Sequence, residues 1–472
     1  MNETSLIEEV FPAYPEYKKA VGAWLETVPT HWEERDLKHK SDVIPSNIDK
    51  KSKDGEKQVW VCNYMDVYKN EFITADLEFL KATASDKQID KLTLLKGDVI
   101  LTKDSEDYND IAIPALVKED MKRTVCGYHL TLIRPHHDLD GGYLFRLLQA
   151  DVFNTHFKVM AKGVTRFGLS TDAFTKLKIL LPPLSEQRQI AYFLDHKTAQ
   201  IDAAIEKGRR LIELLREERA ALINEAVTAG VDEHGRPRSK PTQLPAEGWK
   251  DSGVEWLGVV PTHWEERDLK HKSDVIPSNI DKKSKDGEKQ VWVCNYMDVY
   301  KNEFITADLE FLKATASDKQ IDKLTLLKGD VILTKDSEDY NDIAIPALVK
   351  EDMKRTVCGY HLTLIRPHHD LDGGYLFRLL QADVFNTHFK VMAKGVTRFG
   401  LSTDAFTKLK ILLPPLSEQH RIVEYIETET TRIDQEISIL EREIELLAEY
   451  RQALISEAVT GKIDVREVEV DG

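Results

Sequence analysis

Three short stretches carry side chains able to make paired hydrogen bonds to a flat base edge. In "KGVTRFG" (162–168), Lys162, Thr165 and Arg166 stand between two glycines that let a backbone approach a partner closely. An arginine fork matches the two acceptors of guanine, while lysine and hydroxyl side chains suit phosphates. The same Arg166 also suits an ion pair inside its own domain, or plain solvation. "TKDSEDYND" (102–110) offers Lys103, Ser105, Tyr108 and Asn109, although its four acids oppose a tight phosphate approach. "CNYMDVYKN" (62–70) offers Asn63, Tyr64, Tyr68 and Lys69. An asparagine amide suits adenine, and at a strand end it equally satisfies backbone groups. "KHKSDVIPSNIDKKSKDGEK" (38–57) is the most basic run, with Lys38, Lys40, Lys50, Lys51 and Lys53. Phosphate positioning and a solvated loop fit it equally well.

Every one of these stretches occurs twice. Residues 28–187 and 260–419 agree at all 160 positions, an offset of 232. The second copy supplies Lys270, Lys272, Asn295, Tyr296, Lys301, Lys335, Ser337, Tyr340, Asn341, Lys394, Thr397 and Arg398. Outside the block the offset persists while the letters drift. Trp24 and Leu25 fall opposite Trp256 and Leu257, and "SEQRQIAYFLDHKTAQIDAAIEK" parallels "SEQHRIVEYIETETTRIDQEISI". A block that is letter-perfect between divergent flanks has been copied by itself. It is a module, and the flanks are the frame that receives it.

Composition narrows the class. With 42% hydrophobic and 31% charged residues the chain reads as an ordinary soluble protein, and its length suits two or three domains. It has no apolar run long enough to span a membrane and no secretory signal pattern, so a cytoplasmic setting is expected. Cys62, Cys126, Cys294 and Cys358 lack the spacing of a zinc site and read as buried strand thiols. In "PHHD" (135–138) adjacent histidines point apart, with no third ligand nearby, so no metal is expected. The formal charge of −16 is unevenly placed. Residues 28–187 hold 23 basic against 25 acidic residues, whereas 420–472 hold 6 against 14. The acid therefore lies in the last arm, and the repeated blocks are near neutral.

Periodicity then supplies the elements that must position these side chains. "QVWVCNYMDV", "LLKGDVILTK", "YHLTLIRP" and "KILLPP" read as strands, the second entered through a Gly97-Asp98 turn. "GGYLFRLLQADVFNTHFKVMA" has helical spacing and then leads into an irregular segment, and "TDAFTKL" is a short helix capped by Thr171 or Asp172. After Pro183, with Ser185 as N-cap, apolar residues recur at spacings of 4 and 3 through Ile201, Ile205, Gly208, Ile212, Leu215, Arg219, Leu222 and Ala226. Ile433, Ile437, Leu440, Ile444, Leu447, Arg451, Leu454 and Ala458 repeat the seam. From Ser185 to Thr228 such a helix is about 65 Å long, and Gly230 ends it. Arg219 and Arg451 interrupt the seams, with snorkelling to the surface as the expected account. The fold class expected is mixed α/β (α+β). Two globular domains are separated by two long helices that pair as an antiparallel coiled coil with pseudo-twofold symmetry. The segments are 1–27, then 28–187 (first domain), 188–230 (first helix), 231–259 (linker), 260–419 (second domain) and 420–472 (second helix and tail).

In this order, twice, with a helical arm after each, "LLKGDVILTK", "GLSTDAFTKLKILLPPLSEQRQI", "WKDSGVEWLGVVPTHW" and "ALISEAVTGKIDVRE" resemble a type I restriction–modification specificity subunit over essentially the whole chain. The resemblance implies a non-catalytic protein whose two recognition domains each read half of a bipartite site on double-stranded DNA. It implies two methyltransferase partners, which carry S-adenosylmethionine and methylate adenine N6, and up to two restriction partners, which carry ATP and Mg. The chain itself would hold no cofactor, and the resemblance implies a nucleoid-associated setting in a bacterium or archaeon. Family members usually carry two different recognition domains. Identical ones imply an inverted repeat around an unread spacer.

The residues agree with a non-catalytic role: no GxxxxGK[ST] phosphate loop, no Asn-Pro-Pro-aromatic tetrapeptide and no Gly-rich cofactor cradle are present. Two rivals stand beside this expectation. One is a coiled-coil scaffold with twin protein-binding heads. The other is a duplicated enzyme, for which no acid/base or Cys–His spacing is found.

Overall fold

Alternation at every second residue decides which way each strand of the repeated block faces. The computed structural model describes residues 7, 10–21, 25–49, 51–281 and 284–469, so Trp24 and Lys50 lie outside the described residues. Two units result. Unit 1 comprises Met1–Arg209 with Glu441–Gly472, and unit 2 is Arg210–Leu440. Each holds one copy of the block together with parts of both long helices.

In unit 1 a five-stranded sheet runs in the order Ser41–Pro45, Leu130–Pro135, Val99–Thr102, Pro114–Val117, Phe72–Ile73. Its neighbours are antiparallel except the last pair. Val99 and Leu101 enter one core with Ile133, while Ile100 enters a second with Leu132. Both faces are covered, so "VILT" is buried at all four positions and reads as an unbroken apolar run. The second core is closed by a three-stranded sheet, Thr124–Cys126, Lys57–Cys62 and Leu80–Ala84. Cys62 and Cys126 meet there in register as buried free thiols, and burial pushes both well up in pKa. Unit 2 repeats the layout, with its five-stranded sheet ordered Ser273–Pro277, Leu362–Pro367, Val331–Thr334, Pro346–Val349, Phe304–Ile305.

Four local expectations change. "QVWVCNYMDV" is not one strand: it ends at Cys62, and Asn63 starts the helix Tyr64–Lys69. Asn63 Oδ1 accepts the Met65 N–H at 2.8 Å and Asp66 accepts the Asn63 N–H at 2.8 Å, a capping box that outcompetes strand propensity. The stretch after Gly141 is two helices, Gly141–Gln149 and Asp151–Met160, with Ala150 extended between them, and the irregular segment follows Met160. The short helix Thr171–Thr175 is preceded by Ser170, not capped by Thr171 or Asp172. The first arm is a single helix, Leu184–Ala229, so Ser185 lies inside its first turn. Gly230, at φ +76°, ends it as expected.

The arms bury part of their apolar seam against the heads. In unit 1, Ile201 and Ile205 of the first arm and Leu454, Ile455, Ala458 and Val459 of the second (Leu416–Val459) share the core of helices 141–160. A Cβ on Gly208 would stand 3.2 Å from the Ile444 side chain, so the two arms pack closely at this seam position. In unit 2, Ile223, Ala226 and Val227 share a core with Ile422 and Ile426. Arg451 and Arg219 do not snorkel. Arg451 is half-buried and pairs with Glu71 of the head at 2.6 Å and Asp202 of the other arm at 2.8 Å. Arg219 does the same with Glu303 at 2.7 Å and Asp434 at 3.0 Å. Carboxylates on two elements hold each guanidinium in place, which favours the paired position over solvent.

Where each arm begins, a buried glutamate anchors the chain that packs on it. Glu186 in unit 1 accepts from Tyr14 Oη at 2.7 Å and Trp32 Nε1 at 2.8 Å, and lies 2.8 Å from His31 Nε2. Burial and the Glu186 bond together push the Tyr14 phenol up in pKa. The tail closes over this point, with the Asp464 N–H bonded to the Pro12 carbonyl at 2.7 Å. Glu418 in unit 2 instead pairs with Arg238 and with His263 Nε2 at 2.7 Å. The Trp264 indole N–H is buried there with no acceptor among the described residues.

Candidate nucleic-acid interface

The ends of three elements meet at one cleft. Asp104–Ser105 pairs antiparallel with Phe167–Gly168, binding the "TKDSEDYND" and "KGVTRFG" stretches into one ribbon. The loop between Lys162 and Gly168 is closed by a bridge of these two residues. Gly163 lies at φ +137°, and a Cβ there would stand 1.9 Å from the Arg166 carbonyl oxygen, so only glycine fits the turn that presents Arg166. The strand ending at Cys62 delivers Asn63 and Tyr64 from the other side. Asn63, Tyr64, Ser105 and Arg166 thus line one cleft of about 460 Å3 in unit 1. Asn295, Tyr296, Ser337 and Arg398 line its counterpart of about 480 Å3 in unit 2.

The cleft pairs one cation with many acceptors. Asp49, Asp104, Glu106, Asp107 and Asp110 line it beside Arg166. Tyr64 and Tyr68 stack with ring centres 5.7 Å apart, and the Tyr68 hydroxyl donates to Asp110 at 2.9 Å, which holds that phenol above its ordinary pKa range. Carboxylates repel phosphates but accept from the amino groups of cytosine and adenine. The arrangement therefore suits base edges, and it leaves phosphate contacts to lysines outside the cleft.

The remaining candidates are spread more widely. Lys69, Lys162 and Thr165 are exposed beyond the cleft lining, as are Lys301, Lys394 and Thr397. Lys103 Nζ donates to the Ser46 carbonyl at 3.2 Å and sits 4.9 Å over the Tyr128 ring; Lys335 repeats both contacts. Tyr108 and Tyr340 meet Phe167 and Phe399 edge-on. The Asn109 and Asn341 N–H groups bond to the Asp107 and Asp339 carboxylates at 2.8 Å. Ser105 and Ser337 are buried, each accepting a backbone N–H at 3.1 Å. Lys38 and Lys270 stand exposed near Asp36 and Asp268. Lys40 and Lys272 are tied to Asp138 and Asp370, whose carboxyls these lysines hold below the usual range. Tyr128 and His129 line the cleft but carry no motif. Tyr128 and His129 are hidden in sequence because "YHLTLIRP" reads as one strand, whereas the strand starts at Leu130.

A family model for the type I restriction modification DNA specificity domain matches residues 29–216 and again 261–446. The chain belongs to the type I specificity-subunit family. The MjaVIII specificity subunit of Methanocaldococcus jannaschii is 26% identical over 70% of this chain and 71% of that protein. The putative MjaX specificity subunit of the same organism is 24% identical over 93% of this chain and 95% of that protein. A solved chain, described under complex assembly and conformational transition of the type I R-M system, superposes with a TM-score of 0.64 at 16% identity, covering 92% of this chain and 98% of that one. This specificity subunit is accordingly a DNA-recognition subunit of mixed α/β domains joined by long helices, and the scaffold rival is not favoured. Among the described residues no helix is long and apolar enough to cross a membrane.

Proposed function

We propose that the two heads read two copies of one base sequence, arranged as an inverted repeat around an unread spacer. The observation that carries this is the pair of letter-identical clefts, one per unit, each with the same arginine, acids and stacked tyrosines. The arms would pair as an antiparallel coiled coil. Contacts within each unit support the pairing, since 202 meets 451 and 208 meets 444 in unit 1, and 219 meets 434 in unit 2. A twofold reader sees inverted half-sites spaced by whole turns of the duplex, about 34–36 Å per turn. The chain acts without catalysis of its own. Two methyltransferase subunits docked on the arms bring S-adenosylmethionine and methylate adenine N6, and up to two restriction subunits bring ATP and Mg.

Mapping N6-methyladenine across a genome, in cells holding this chain and its methyltransferase partner, tests the proposal. Two identical inverted halves with a fixed gap are expected. A motif with different halves overturns it. Arg166→Ala with Arg398→Ala should relax one symmetric base position, at ~1–3 kcal/mol per half-site, read by competition among duplexes.

A further inference from the structure

We infer, on the reading of the cleft as the DNA-contacting site, that His129 and His361 are positioning residues that aim Arg166 and Arg398 at their base. Arg166 Nη2 stands 3.2 Å from His129 Nδ1 and 3.3 Å from His129 Nε2. The two ring nitrogens flank Cε1 and point apart, so an atom on either in-plane lone pair would be far from the other nitrogen. An atom equidistant from both within the ring plane would collide with the Cε1 hydrogen. Arg166 Nη2 therefore lies over the imidazole face, a cation–π placement that suits the delocalised charge.

With the face occupied by arginine, the Nδ1 edge stays free, and Asp104 Oδ2 lies 2.7 Å from it. An ionised carboxylate only accepts, so Nδ1 carries the proton and donates to Asp104. Asp104 holds the ring, and the ring holds the cation. The second head repeats the stack, with 2.7 Å from Asp336 to His361 and 3.2 and 3.5 Å from His361 to Arg398.

Three further observations separate this arrangement from a chance contact. His129 sits at φ +71° and His361 at φ +71°, a left-handed conformation uncommon for residues other than glycine, and such conformations gather at functional sites. Tyr128 braces the imidazole from the side, with ring centres 4.3 Å apart. Arg166 forms no ion pair with any carboxylate among the described residues, although five acids line the same cleft. Its remaining N–H donors stay available to an acceptor that arrives from outside. A fork held by one nitrogen on a fixed plane can present its other edge in one direction, which two-point recognition of guanine requires.

The test is the full chain carrying His129→Asn with His361→Asn. Asparagine tolerates a left-handed backbone, and its amide can still donate to Asp104, so only the aromatic platform is lost. Competition binding is measured against the methylated motif and each of its single base-pair variants at fixed salt. The parent should discriminate at the arginine position by roughly 5- to 150-fold, and the double variant should lose most of that factor there, at the same position flattened by Arg166→Ala with Arg398→Ala. Retained discrimination at that position, or a loss spread evenly over all positions, overturns the inference. A parent that binds no DNA sequence preferentially instead overturns the proposed function. Should the asparagine variant melt well below the parent, Asp104→Ala with Asp336→Ala removes the acceptor that fixes the ring and lets the imidazole turn away from the arginine. Undiminished discrimination in that variant likewise overturns the inference.

Discussion

Unit 1 and unit 2 carry the same 160 letters, yet their buried polar groups are completed differently. In unit 1 the head arginine Arg146 donates to Asp195 of the first arm at 3.0 and 2.8 Å and to Thr198 at 3.0 Å. In unit 2 the equivalent Arg378 faces Glu427 where unit 1 has Asp195; it bonds Glu303 at 3.2 Å and Gln381 at 2.7 Å, with no bond to the arm among the described residues, and burial depresses its pKa. Glu186 gathers Tyr14, Trp32 and His31, whereas Glu418 takes Arg238 and His263 and leaves Trp264 without a partner among the described residues. A copied module keeps its own cleft but must accept whatever its frame supplies. Contacts at its edge therefore differ in strength although its letters do not.

The sharpest break of this comparison comes from the anchoring glutamates. Glu186→Ala should cost unit 1 about 3 kcal/mol, because it strands the buried Tyr14 hydroxyl and Trp32 N–H. Glu418→Ala should cost unit 2 about 1–2 kcal/mol, since Arg238 and His263 can turn to water. Hydrogen exchange resolved by unit measures both, and equal losses would refute the difference. Next, Arg146→Met should destabilise by about 2–3 kcal/mol and Arg378→Met by about 1 kcal/mol or less, as the second arginine has fewer bonds to lose. Calorimetric melting distinguishes them.

A smaller contrast concerns the tryptophans. Trp32→Phe should cost about 1 kcal/mol through the abandoned Glu186 bond, while Trp264→Phe removes an unsatisfied donor and should leave stability unchanged or raised. The smallest effect is a titration. Burial, beside Trp256 at 6.2 Å and Phe389 at 5.6 Å, holds the His388 midpoint below the usual histidine range, against a 3.0 Å bond to the Ala405 carbonyl. The depressed midpoint stabilises the folded state above the unfolded histidine value, near pH ~6.5, and that contribution is lost as pH falls through the folded midpoint. Trp256→Ala should raise the midpoint, as followed by imidazole NMR.

Much of this was legible in the letters for physical reasons. An exact repeat announces a module without any structure. Val99–Thr102 and Leu130–Pro135 are apolar enough to be read as strands buried on both faces. The three stretches that meet in the cleft were legible because glycines and turn residues mark where polar side chains leave the sheet. His129 was not, since nothing in "CGYHLTL" records that its backbone turns left-handed before the strand begins. The capping role of Asn63 depends on Asp66 three residues later, a pairing masked by the apolar strand before it. The ion pairs of Arg219 and Arg451 join residues 84 and 380 positions apart in the chain, beyond the reach of any periodicity.

The two units also differ in how they are threaded. Unit 2 is one uninterrupted run, whereas unit 1 needs Leu454, Ile455 and the tail through Asp464 to cover Tyr14 and the start of the first arm. During synthesis on the ribosome, the flank of the first head therefore stays uncovered until Leu454, Ile455 and Asp464 have been made.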